Sequence, residues 1–136
     1  MFHVEHALKT MVFSICAFLS VVFGDLAGVP TWLIICIAAD YLTGLIVGGK
    51  EGQISSKIGF NGLKRKALIL IMFGLGHMAD QAAGTGNTIR DTIGYFYMAN
   101  ELISITENAV RFGVPIPDVI KNLIATYTGK GGGKNE

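Results

Sequence analysis

Four apolar stretches divide the chain: "ALKTMVFSICAFLSVVFG" at 7–24, "TWLIICIAADYLTGLIVGG" at 31–49, "ALILIMFGLGHMADQAAG" at 67–84 and "TIGYFYMANELISITENAV" at 92–110. A helix needs roughly 20 residues to cross about 30 Å of hydrocarbon, and each stretch is close to that length. Pro30 stands where a helix start tolerates a missing N–H, and glycines at 24, 28, 48, 49, 84 and 86 punctuate the ends. The pattern predicts membrane-embedded helices over 7–24, 31–49, 66–84 and 90–111.

Past residue 112 the character changes. "VPIPDVIKNLIATYTG" has prolines at 115 and 117, then Val119, Ile120, Leu123, Ile124 and Tyr127 at helical spacing. It is too short to span and predicts an amphipathic helix over 117–127 lying in the headgroup plane. The reading is an all-α integral membrane protein in three parts. These are a membrane-embedded helical domain over 1–112, an interfacial helix within 113–128 and a flexible Gly/Lys tail over 129–136.

Composition sharpens this. Charged residues make up 15% of the chain, against about 25% in soluble domains. A net charge of +1 gives no argument for nucleic acid. With four crossings, ten of the eleven Lys and Arg fall on the side of the two termini, and only Arg90 falls on the other. The positive-inside rule then puts both termini in the cytoplasm. "MFHVEHALK" is barely basic, and no small-residue cleavage pattern follows the first stretch, which therefore reads as a span rather than a cleaved leader.

No catalytic set is visible. There is no G-x-S-x-G, and "GGKEG" puts Glu51 where a phosphate-binding loop needs Ser or Thr. His3 and His6 lack a third ligand nearby, so no metal is expected. Cys16 and Cys36 read as small buried hydrophobes. His77 and Asp80, three residues apart, share a helical face and either satisfy each other or relay protons.

The acids within the apolar stretches are the unusual feature: Asp40, Asp80, Glu101 and Glu107. A central Asp costs about 2.5–3.5 kcal/mol on insertion scales, so such groups should face protein or water rather than lipid. The fourth stretch shows a way. Met98, Leu102, Ile105 and Ala109 form an apolar stripe, while Asn100, Glu101, Ser104, Glu107 and Asn108 lie on the other side. That polar side suits contacts between protomers, contacts with His77 and Asp80, or a pore wall. Its two glutamates also admit a helix that only lies on the surface. In the second stretch Asp40, Gly44 and Gly48 recur every four residues, a small-residue pattern that lets helices approach closely. Lys57, Lys64, Arg65 and Lys66 belong to a basic loop that anchors topology and meets anionic headgroups.

These residues carry a resemblance. "DYLTGLIVGGKEGQISSKIGFNGLKRKALILI" at 40–71, with "NELISITENAVRFGVPIPDVIKNLI" at 100–124, resembles the toxin-secretion/phage-lysis holin family. The matching features are Asp40 with Gly44, the Ser-Ser before a glycine-containing basic segment at 55–66, and E-x-x-S-I-x-E-N at 101–108 running into G-x-P-x-P at 113–117. The resemblance spans about 31–125. It implies a non-enzymatic protein without cofactor that self-associates in the bacterial cytoplasmic membrane. At a set time it opens lesions through which endolysin reaches the peptidoglycan, with no direct contact required. It also leaves room for an antiholin partner. The competing reading is a small ion or proton channel, or an accessory transporter subunit, using Asp40, His77, Asp80 and the glutamates as a relay.

Overall fold

The computed structural model describes residues 1–129 and contains five helices, with no strand among them. They are α1 (Phe2–Phe23), α2 (Val29–Lys50), α3 (Ser56–Ala83), α4 (Thr88–Phe112) and α5 (Asp118–Tyr127). The tail expected at 129–136 lies, apart from Gly129, outside the described residues.

The central three helices keep one repeat. The buried seam runs through 29, 33, 36, 40 and 47 on α2, 66, 69, 73, 76 and 80 on α3, and 90, 94, 101 and 108 on α4, with Pro30, Ile37 and Gly74 buried beside it. Those steps of three and four, or seven where a half-buried residue intervenes, are the seam of helices packed at 3.5 residues per turn. α4 sits between α2 and α3 and carries most of the packing, with α2 the larger partner. α1 meets the bundle chiefly at α3, where Leu19, Val22 and Phe23 reach the core.

Local chemistry sets the ends. The Ser55 side chain accepts a 3.2 Å bond from the Ile58 amide and starts α3 there. α3 therefore begins eleven residues before the apolar stretch it contains. The basic segment expected to be a loop is mostly helix, because helix formation needs caps and no breaker rather than hydropathy. α3 ends at Gly84 and α4 at Gly113, both with positive φ.

The core is small and mixed. The buried apolar cluster is Phe23, Val29, Leu33, Ile37, Ile69 and Phe73. Buried alongside it are Asp40, Lys66, Asp80, Arg90, Glu101 and Asn108. Large apolar side chains such as Phe13, Phe18, Trp32, Leu42, Leu68, Ile71 and Leu102 point outward. This distribution, polar inside and apolar outside, is opposite to that of a soluble bundle. Two helices, α1 and α2, are long and apolar enough to cross a membrane by composition. α3 and α4 carry charges on the seam instead.

Glycine has its strictest role at the crossings of α4. A Cβ on Gly94 would lie 2.5 Å from Val29 Cγ1 and 2.8 Å from Phe73, and one on Gly76 would lie 2.8 Å from Ile93 Cδ1. At Gly44 the nearest atom would be Asn108 Nδ2 at 3.8 Å. Gly94→Val should therefore destabilise by about 1–3 kcal/mol through overpacking. Gly44→Ala should be neutral or stabilising through helix propensity. Thermal unfolding of the detergent-solubilised protein, followed by circular dichroism, compares them. Equal melting of the two variants would contradict this packing.

Candidate functional site

The seam holds two polar layers with an apolar layer between them. The first layer is built from three helices. Lys66 on α3 projects its ammonium between Asp40 on α2 and Glu101 on α4 and donates to both carboxylates. Asn108, two turns beyond Glu101, donates through Nδ2 to Asp40 Oδ1 at 3.2 Å and to Thr43 Oγ1 at 3.0 Å. Glu101 is 2% exposed, and Asp40, Lys66 and Asn108 are each 8% exposed. Desolvating a charge costs several kcal/mol, which pairing and hydrogen bonds must offset. Here each carboxylate faces the one ammonium, and Asp40 has a second donor.

The second layer lies about 21 Å further along α3, at 1.5 Å rise per residue. Asp80, near the end of α3, accepts from the amides of Ile89 at 2.9 Å and Arg90 at 2.8 Å. It thereby caps the start of α4 from another helix, where the orphan amides and the helix dipole favour an anion. The Thr85 hydroxyl donates to the same carboxylate. Arg90 turns its guanidinium the other way, to Phe23 O at 2.8 Å and Asp25 O at 3.1 Å, and lies over the Phe73 ring. One arginine thus ties the end of α1 to the start of α4.

The residues expected to act together separate into groups. Asp40, Glu101 and Asn108 meet in the first layer. Ser104 lines a cavity of about 240 Å³ beside it, and Gly44 and Gly48 line the same cavity. Asn100 lines a second groove, of about 230 Å³, between α3 and α4. Glu107 is exposed, near Arg111 and Lys121. His77 and Asp80 belong to the other layer and do not reach Glu101. His77 Nδ1 has no hydrogen-bond partner, and its ring packs against Gly24. The expected contact of Glu101 with His77 and Asp80 is thus replaced by Lys66, because α3 runs antiparallel to α4. Lys66 itself leaves the group expected at headgroups. Lys57, Lys64 and Arg65 stay exposed, whereas Lys66 is turned inward.

Two key residues escaped the sequence reading. By charge Lys66 belongs with its basic neighbours, yet it lies three residues before Ile69 and seven before Phe73, on the seam. By topology Arg90 is the lone cation of its loop, yet it begins the 90, 94, 97, 101, 104, 108 series of α4. The three-four repeat would have identified both. Among the described residues no cluster of His, Cys, Asp and Glu is arranged to hold a metal.

Removing the ammonium should expose the stored repulsion. Lys66→Met leaves Asp40 and Glu101 buried together without a cation and should cost about 3–5 kcal/mol. Adding Asp40→Asn and Glu101→Gln should recover most of that loss. Thermal unfolding in detergent measures both, and an equal loss in the single and triple variants would show that the carboxylates do not hold Lys66.

Residues 17–129 match the bacteriophage holin family. An uncharacterized protein of Listeria innocua is 42% identical over 132 residues, covering 97% of this chain and 94% of the relative. An uncharacterized protein of Clostridium perfringens is 40% identical over 99 residues, covering 72% and 75%. A probable holin of Bacillus phage phi105 is 32% identical over 98 residues, covering 72% of each chain. No solved structure matches. The chain belongs to the bacteriophage holin family.

Proposed function

We propose that this protein accumulates in the cytoplasmic membrane of a bacterial host, oligomerises there and opens lesions at a set time, so that endolysin reaches the peptidoglycan. The observation that carries the reading is the buried polar seam of α4 in a chain whose outer surface is apolar. In this reading all four long helices cross, with Lys66, Asp80, Arg90 and Glu101 of α3 and α4 turned inward. Both termini lie in the cytoplasm, the side favoured by ten of the eleven Lys and Arg. α5, with Val119, Leu123 and Tyr127 exposed, lies in the headgroup plane.

The seam supplies the two states. In the closed protomer Asp40, Lys66, Glu101 and Asn108 satisfy one another, and all four are buried. When protomers cluster, the same polar stripe of α4, including Ser104, can turn from α2 and α3 to a shared lumen. Water then solvates each charge, and a salt bridge lost to water costs only about 0–1 kcal/mol. Breaking the seam is therefore prohibitive in lipid and cheap in a wet lesion. That difference makes opening depend on assembly. The glycines at 44 and 48 on α2 and the exposed Glu107 on α4 are further candidates for contacts between protomers.

Timed co-expression with an endolysin in a bacterial host tests the reading through optical density and release of a cytoplasmic enzyme. The wild type should cause abrupt lysis with enzyme release, whereas an ion or proton channel would drain the membrane potential without releasing the enzyme. The combined variant Glu101→Leu and Glu107→Leu should insert and accumulate but fail to lyse. Normal lysis by that variant at wild-type abundance would remove the α4 stripe from the lesion wall.

A further inference from the structure

The groove between α2 and α3 stays open, with Tyr41 lying against Gly59 and Gly62 and Ile54 against Gly48. Gly44 and Gly48 line one wall, and Gly59 and Gly62 line the other. Glycine in a helix interior costs about 0.5–1 kcal/mol against alanine, so four of them need a reason. Close backbone approach is not that reason. A Cβ at any of the four would find its nearest neighbour at 3.4–3.8 Å, which is ordinary contact. The glycines bare the backbone and leave about 240 Å³ of open groove.

The charge pattern points to an anion. From residue 52 to residue 79 the chain has no Asp or Glu, yet it carries Lys57, Lys64, Arg65 and Lys66. Lys66 is neutralised by the buried carboxylates. Arg65 lines the groove and has no carboxylate within salt-bridge distance among the described residues. Tyr41 and Ser55 add hydroxyls, and Ile54 and Ile58 give the groove an apolar flank. Asp40, Lys66 and Asn108 also line the groove, bonded to one another, which leaves Arg65 as its free charge. A free cation beside a cleft with an apolar flank and bared backbone matches a phosphate joined to an acyl chain. It does not match a free anion, which would leave the apolar flank uncovered.

We propose that this groove binds one anionic phospholipid per protomer, its phosphate at Arg65 and an acyl chain along the glycine wall. This rests on the chain being membrane-embedded, and it is independent of lesion opening. A bound lipid would compete with any second copy approaching by the glycine face.

Native mass spectrometry of the full-length protein in mild detergent tests this with phosphatidylglycerol and phosphatidylcholine of identical chains. One phosphatidylglycerol should be retained per protomer in preference to phosphatidylcholine. Arg65→Gln should weaken retention about fivefold, the worth of one cation at an anionic surface. Gly48→Leu should weaken it comparably by filling the groove without changing charge, while Lys121→Gln should have no effect. Equal retention of the two lipids overturns the proposal. So does a loss with Lys121→Gln matching that with Arg65→Gln, which marks diffuse attraction. Displacement by millimolar glycerol 3-phosphate overturns it too, because the acyl chain would then contribute nothing. Alkaline extraction of membranes read in parallel separates the failures. A chain that is extracted fails the membrane reading itself, and an inserted chain without lipid preference fails only the lipid site.

Discussion

Lys66 between Asp40 and Glu101 is the interaction on which the bundle depends. Each of these groups comes from a different helix, and none can be buried alone. In surroundings of low dielectric, an unpaired charge costs far more than any single apolar contact supplies. The triad therefore fixes register as well as energy. Sliding α3 by one residue would carry Lys66 off the seam and leave both carboxylates uncompensated. Asn108 adds a directional bond from α4 to α2 that a sliding helix would also lose. Hydrophobic packing cannot supply that selectivity here, because the exposed outer faces are as apolar as the core.

The second polar layer has a different task. Asp80 and Arg90 join helix ends rather than helix faces. The carboxylate caps α4, and the guanidinium holds the carbonyls where α1 ends. α1 has little other purchase, since most of its apolar side chains point away from the bundle. Between the layers lies the packing of Leu33, Ile69 and Phe73 against Val29, with Gly94 allowing α4 to approach. A chain arranged this way is tight at two levels and has its polar stripe available if the helices separate.

Much of this was legible in the sequence. Helix number followed from apolar length, and helix ends came within a few residues wherever Gly or Pro marked them. The start of α3 was misplaced because Ser55 caps a segment too basic to look like part of a span. The amphipathic period of 98–109 marked the face on which Glu101 and Asn108 are buried against α3 and α2, although Glu107 on it is exposed. Its partner was not legible. Lys66 stands among three other cations, and only the seam repeat on α3 distinguishes it from Arg65 beside it. Gly44 and Gly48 stand out by spacing, but neither is crowded within the protomer. The close approaches are at Gly76 and Gly94, where no four-residue repeat draws the eye.

The central claim is that the α2–α4 seam is closed before lysis and must open for it. Asn108 and Thr43 touch across that seam at 3.0 Å. Thr43→Cys and Asn108→Cys, in a background carrying Cys16→Ala and Cys36→Ala, place two thiols there. Bridging them in the membrane by oxidation or a short thiol crosslinker, confirmed by gel mobility, should hold host cells unlysed past the normal time. Cleaving the bridge should then release lysis promptly. Lysis on schedule with the bridge intact would contradict the account, because the polar stripe of α4 would then never have left α2.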